Sequence, residues 1–135
     1  MKRPATKRPT RLSAPDPRRL KARRRGRFAE HLCRWHLRLR GWRIIACNWR
    51  CPAGEIDILA RRRGILAAIE VKSRPSFSTG AEALLPRQRR RIARAVEAFL
   101  AMRPELAPLA LRFDVMVVEP LRLPRHLPGA WRSDG

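Results

Sequence analysis

Residues 54–74 read GEIDILARRRGILAAIEVKSR, and two aliphatic runs on either side of a basic turn predict a β-hairpin here. Gly54 follows the turn-like Cys51-Pro52-Ala53, residues 55–60 alternate weakly between charged and aliphatic, Arg61–Gly64 supply the turn, and Ile65–Val71 form the second strand. Side chains alternate faces along a strand, so Glu70 and Lys72 point one way while Ile69 and Val71 point the other. Glu55, Asp57 and Leu59 share a face in the same manner. If the Asp57 face of one strand is the Glu70 face of the next, two carboxylates and an ammonium converge at one end of a small sheet.

The hairpin needs neighbours. Upstream, Gly26–Arg40 has helical periodicity with two competing apolar stripes: Phe28, Leu32, Trp35 and Leu39 on one side, Ala29, Cys33 and Leu37 on another. Glu30 lies near the second stripe, so the stripe that faces the sheet decides whether Glu30 is inside or in water. Gly41 supplies a C-terminal stop, and Trp42–Arg50, rich in β-branched and aromatic residues, reads as the first strand. Downstream, Pro75–Gly80 is a polar loop. Pro86 suits the first position of a second helix, which carries Ile92, Ala95, Val96, Phe99 and Met102 on one face. Leu111–Val118 is the last β-rich run. The order helix, three strands, helix, strand predicts an α/β fold with a mixed central sheet flanked by helices, because the helix between the third and fourth strands permits a parallel crossover.

At 135 residues the chain can bury one core. Residues 1–25 hold 11 Lys or Arg, four Pro and a single Asp, and read as a disordered basic arm. Two accounts of that arm stand: an electrostatic aid to nucleic-acid binding, or a functionless extension. The domain is expected over 26–120, followed by a Pro- and Arg-rich tail over 121–135.

Thirty-two basic residues against 11 acidic ones give a net charge of +21, which predicts a polyanionic partner; an arginine-biased composition with a solvated basic surface is the bland alternative. Arg87, Arg91 and Arg94 form a row on the polar face of the second helix, without interleaved acids, and are candidates for phosphate contact as well as for a plain solvated face. Cys33, Cys47 and Cys51 are too few and too oddly numbered for a disulfide framework, which favours a reducing cytoplasm, and Cys47 and Cys51 lack the second ligand pair of a zinc site. His31 and His36 read as ordinary helix residues. No run of about 18 apolar residues occurs, so neither a membrane span nor a secretory signal is expected.

Hydrolysis of a phosphodiester by a metal ion needs oxygen ligands for a hard cation, a site for water, and positive charge for the transition state. Asp57, Glu70 and Lys72 match this in kind: the carboxylates would hold Mg²⁺ or Mn²⁺, and Lys72 would orient or deprotonate the water. The chain contains 28 Arg and four Lys, and Lys72 is the only lysine after residue 22. Where arginine otherwise supplies the positive charge, a retained ammonium points to a chemical demand. The competing account of the trio is a cross-strand ion-pair cluster on an exposed face.

Gly26 with Glu30, Gly41, Asn48, Gly54-Glu55-Ile56-Asp57, Glu70-Val71-Lys72 with Arg74, and Arg112-Phe113-Asp114-Val115 resemble the YraN-like family of small bacterial proteins. That family is similar in turn to the PD-(D/E)XK, or restriction-endonuclease-like, superfamily. The resemblance spans about residues 26–119 and implies an αβββαβ core, with Asp57, Glu70 and Lys72 at metal-dependent nuclease positions and Glu30 as an additional acid from the first helix. It adds Arg74 and Gln88 to the nucleic-acid contacts. The chain departs from the family where Gln88-Arg89 replaces a Lys-Gln pair and where Leu84-Leu85 replaces a more polar turn. The implied activity is nuclease action on structured or branched DNA, with RNA as a further substrate class, by a protein that acts as a homodimer. The alternative is a catalytically silent nucleic-acid-binding protein with the same fold, accessory to recombination, repair or RNA metabolism.

Overall fold

In the computed structural model, residues 17–75 and 84–133 are described, with side chains from residue 26 onward. Helix α1 (Pro17–Leu39) leads into β1 (Arg43–Cys51), β2 (Gly54–Arg62) and β3 (Ile65–Ser73). Helix α2 (Pro86–Met102), a 3-10 turn (Pro104–Leu106), β4 (Ala110–Val118) and β5 (Arg125–Trp131) follow. The five strands form one sheet in the order β1-β2-β3-β4-β5. Only β3 and β4 run parallel. The αβββαβ core expected from the sequence is therefore present, with one strand added at its edge.

Each boundary has a local cause. Gly41, at φ +86, closes α1 in a Schellman arrangement: Trp42 N–H donates to the Leu37 carbonyl at 3.0 Å and Gly41 N–H to the Arg38 carbonyl at 3.1 Å. Trp42 and Leu37 then pack in the same cluster, which fixes the angle at which the chain enters β1. Gly54 is needed for a different reason. A Cβ there would lie 2.0 Å from the Arg91 carbonyl oxygen, so β2 can pass beneath α2 only with no side chain at this point.

The sheet is covered on both sides. Ile92, Ala95, Val96 and Phe99 of α2 pack on one face with Leu66, Ala68, Phe113, Val115 and Val117. Ala29, Cys33 and Leu37 of α1 pack on the other with Ile58, Ala60, Ala67, Ile69 and Met116. Central β3 accordingly buries four consecutive residues, Leu66–Ile69, as a strand does when both its faces are covered. Small Ala60 and Ala67 let α1 approach through its slimmer stripe. That choice leaves Phe28, Trp35 and Leu39 exposed and settles the competition between the two stripes in favour of Ala29, Cys33 and Leu37.

Three expectations are corrected. Helical backbone begins at Pro17, so residues 17–25 continue α1 where a disordered arm is expected; Pro fits the first helical turn, and the Leu, Ala, Lys and Arg that follow are good helix formers. The rest of that arm, residues 1–16, lies outside the described residues, as does most of the 75–80 loop. Met102 is exposed rather than part of the α2 core face. Residues 125–131 of the expected tail form β5, an edge strand in which Pro128 is tolerated because one side of the strand has no partner.

Candidate active site

Strands β2 and β3 pair from Arg62–Ile65 as far as Ile58–Ile69, and the ladder stops there. Asp57 and Glu70 stand one step beyond the last pair, where the two strands part. Asp57 Oδ2 accepts the Val71 N–H at 2.9 Å, so a side chain takes over the bond that a continued ladder would have made. The two carboxyl groups are themselves in hydrogen-bond contact. The face-sharing expected for Asp57 and Glu70 is thus realised, and a single cation could bridge them.

Burial is the main influence on both acids. It pushes Asp57 above the ordinary carboxylate range against the favourable hydrogen bonds from Val71 and Glu70. Burial, followed by the charge and hydrogen bond of Asp57, pushes Glu70 up to about 9, while nearby Lys72 pulls the other way. Two carboxylates this close cannot both ionise cheaply, so the pair retains a proton at neutral pH. Lys72 is half-buried, two residues beyond Glu70 on β3.

Glu30 approaches from α1. Its carboxyl is raised by burial, lowered by a hydrogen bond from the Asn48 side chain, and raised again by the charge of Asp57. Asn48 is the contributor that periodicity does not reveal. It sits at φ 49 inside β1, between Cys47 and Trp49, whose partners Ile58 and Ile56 flank Asp57. Asparagine tolerates this left-handed conformation better than most residues, and the kink turns its side chain toward Glu30. An Asn in the middle of a β-rich run was the available signal. Beneath the site, burial and the charges of Glu30 and Asp57 push the Cys33 thiol up to about 12, which makes it inert.

A polar cleft of about 610 Å³ opens at Glu30, lined by Gly26, Arg27, Glu30, Asn48 and Arg50; Asp57 and Glu70 do not line it. Arg50 also meets Glu55 at 3.4 Å, an exposed pair of little energetic weight. Arg87, Gln88, Arg91 and Arg94 are exposed on α2, across the sheet from Glu30. Arg74 is half-buried; its backbone N–H donates to the Val118 carbonyl at 3.0 Å and its guanidinium to the Ser73 carbonyl at 3.0 Å.

The donor set suits a hard divalent cation in kind. Two carboxylates sharing a proton are a pair that a cation can occupy in the proton's place, and the Val71 carbonyl is a further oxygen nearby in sequence. Among the described residues no group of three or more His, Cys, Asp or Glu side chains is gathered for a metal, so Glu30 stands beside the pair rather than within one ligand set.

The sign of the Glu70 shift makes a prediction. The unfolded chain ionises this acid near 4.5, whereas the folded chain holds its proton up to about 9. The contribution to stability is therefore full below 4.5 and is lost as pH rises through about 9. Glu70→Gln, which cannot ionise, is expected to raise the thermal midpoint at pH 8 in the presence of a chelator and to flatten its fall across that window. An unchanged midpoint at pH 8 would show that Glu70 is not held protonated.

A sequence model described as the uncharacterised protein family UPF0102 matches residues 29–118. A UPF0102 protein of Paramagnetospirillum magneticum is 50% identical over 117 residues, covering 84% of this chain and 91% of that protein. One from Parvibaculum lavamentivorans is 50% identical over 113 residues, covering 84% and 85% respectively. A third, from Rhodopseudomonas palustris, is 46% identical over 117 residues, covering 87% and 90%. The matched region begins within α1 at the buried Ala29, contains every strand that meets at the acid pair, and ends with β4.

Proposed function

The chain belongs to the family UPF0102, the YraN family, and from that premise and the site geometry we propose that it is a divalent-metal-dependent nuclease acting on structured or branched DNA, with RNA as a further substrate class. The observation that carries the reading is the placement of Asp57 and Glu70 one step beyond the last β2–β3 pair, with Asp57 fixed by the Val71 N–H and both carboxyls raised by burial. An ion-pair cluster on an exposed face would show the reverse: solvated carboxylates, each lowered by a basic partner.

In this reading Asp57 and Glu70 hold Mg²⁺ or Mn²⁺, with the Val71 carbonyl as a further oxygen. When bound, such a cation activates water and offsets the charge that develops on the phosphoryl oxygens. The Val71 N–H fixes the orientation of Asp57, which limits the reorganisation that ligation requires. Lys72 supplies its amino group beside Glu70: as the ammonium it holds the water, and as the neutral amine it takes the water's proton. Glu30, steadied by Asn48, orients water at the mouth of the cleft. The net charge of +21 brings the polyanion to it: six to ten phosphate contacts would weaken binding by about 10³–10⁵ between 50 and 200 mM salt.

The deciding experiment incubates the wild-type chain with linear duplex, single-stranded, forked and four-way DNA and with RNA, under Mg²⁺, Mn²⁺ or a chelator. Cation-dependent cleavage of at least one substrate is expected. Binding with no cleavage of any would leave the silent nucleic-acid-binding alternative.

A further inference from the structure

The outward side of α1 carries large side chains that the sheet does not use. Phe28 is 65% exposed and Trp35 54% exposed, and Leu39 continues the same row. Seven residues separate the two aromatic rings, two helical turns, which sets them about 10 Å apart along one side of the helix. At 3.6 residues per turn the positions round α1 fall in a definite order. Ala29, Cys33 and Leu37 meet the sheet; Glu30 lies at the edge of the cleft; Arg34, Arg27 and Arg38 come next; Trp35, Phe28 and Leu39 follow. A basic row therefore runs between Glu30 at the cleft and the aromatic row.

The two rows are in contact. The Arg38 guanidinium lies over the Trp35 ring at 5.8 Å, and Arg34 is hydrogen-bonded to His31 at 2.7 Å. Glu30 is the only acid of α1 between residues 27 and 39, and Glu119, which reaches the groove beside Phe28, is largely buried and paired with Arg125 at 3.6 Å. Beside Phe28 is an apolar groove of about 530 Å³ walled by Leu32, Val118, Leu121 and Leu123. That volume lies within the range of small-ligand clefts, about 300–1,000 Å³.

We propose that this face of α1 is a platform for unpaired nucleotides, with phosphates on Arg27, Arg34 and Arg38 and bases stacked on Phe28 and Trp35. Nucleic acid without a complementary strand has two needs that this surface meets together: a cationic track for its backbone, and exposed π-faces for bases that no longer stack within a duplex. A protein partner packed on the aromatics would need acids to offset the arginines. A second copy of this chain brings the same arginines and a like charge of +21, which opposes that contact. The proposal rests on the nuclease reading for its meaning, since it directs an unpaired stretch of a branched substrate along α1 toward Glu30. Its test does not need cleavage.

The full chain is titrated, with chelator and no divalent cation, against an end-labelled single strand and the matching blunt duplex, followed by fluorescence anisotropy. Phe28→Ala with Trp35→Ala is expected to weaken single-strand binding at least about tenfold and duplex binding by less than about twofold. Phe28→Trp with Trp35→Phe keeps two rings and is expected to retain wild-type affinity, whereas Phe28→Leu with Trp35→Leu keeps apolar bulk and loses it. Equal losses on both nucleic acids, or none, overturn the platform. So does a leucine pair that binds as well as wild type. Sedimentation of the same samples covers the other occupant: a wild-type dimer that the alanine pair dissolves, with single-strand affinity unchanged, assigns the face to a second copy and ends the proposal. A chain that never cuts any substrate yet shows the tenfold selective loss keeps the platform and loses the nuclease reading instead.

Discussion

Lys72→Arg is expected to lower the cleavage rate by about 10²–10⁴-fold while leaving affinity for the same DNA at fixed salt unchanged. The substitution keeps the positive charge, so a purely electrostatic role for Lys72 predicts near-normal activity. A role in orienting or deprotonating water does not survive it. Guanidinium is planar, bulkier and effectively never gives up a proton, whereas an ammonium is a compact point charge whose pKa responds to its surroundings. Lys72 is half-buried on β3 and close enough to Glu70 to draw that acid's pKa down. Asp57→Ala is the companion measurement. It removes one member of the acid pair and the acceptor for the Val71 N–H, so cleavage and the thermal shift on adding Mn²⁺ should disappear together. Lys72→Arg should keep the thermal shift. A variant at Lys72 that cuts at the wild-type rate would remove the residue from the chemistry and reduce it to one more cation near phosphate.

The parts of the molecule that could be read in the sequence are those in which local pattern and tertiary demand agree. Ile65–Ile69 is a continuous aliphatic run because β3 is covered on both faces, and the period of Ile92, Ala95, Val96 and Phe99 survives because one helix face meets one sheet face. Asp57 and Glu70 were legible for a related reason. Charged residues set within otherwise apolar strands are costly to bury, and the β2–β3 pairing stops beside them. Helix α1 was ambiguous because it carries two apolar stripes, and the deciding information lay far away, in the small side chains of Ala60 and Ala67. Strand β5 was not legible. Its Pro128 and Gly129 argue against a strand locally, and it forms because of what β4 offers it: Trp131 stacks on Phe113 with ring centroids 4.0 Å apart, and the edge position tolerates a missing donor.

What β4 offers most is Asp114, and Asp114→Ala is expected to destabilise the fold by about 3–5 kcal/mol, a loss read by urea denaturation. Its side chain is fully buried, and every acceptor position is used. Oδ1 takes Arg112 Nε at 2.8 Å and Gly129 N–H at 2.9 Å; Oδ2 takes Arg112 Nη2 at 2.9 Å and His126 Nε2 at 2.6 Å. His126 and Gly129 belong to β5, so removal of one carboxylate frees the edge strand and leaves buried donors without partners. Hydrogen exchange should accelerate first in β5. Burial alone would raise the Asp114 pKa, but His126, Arg112 and Gly129 outweigh it and hold the group below its ordinary 3.8. The stability it contributes is therefore present above 3.8 and is lost only as pH falls below that value through the folded pKa, the opposite sense to Glu70. Asp114 and Asp57 are both acids set within strands, and sequence pattern does not tell them apart. The direction of their shifts does: Asp114 has spent its lone pairs on its own fold and has none to give a cation, whereas Asp57 and Glu70 are held in a state that a cation would relieve. Asp114→Ala should accordingly lower stability while any cleavage by the fraction still folded keeps its wild-type metal requirement, and a lost metal requirement would place Asp114 in the site after all.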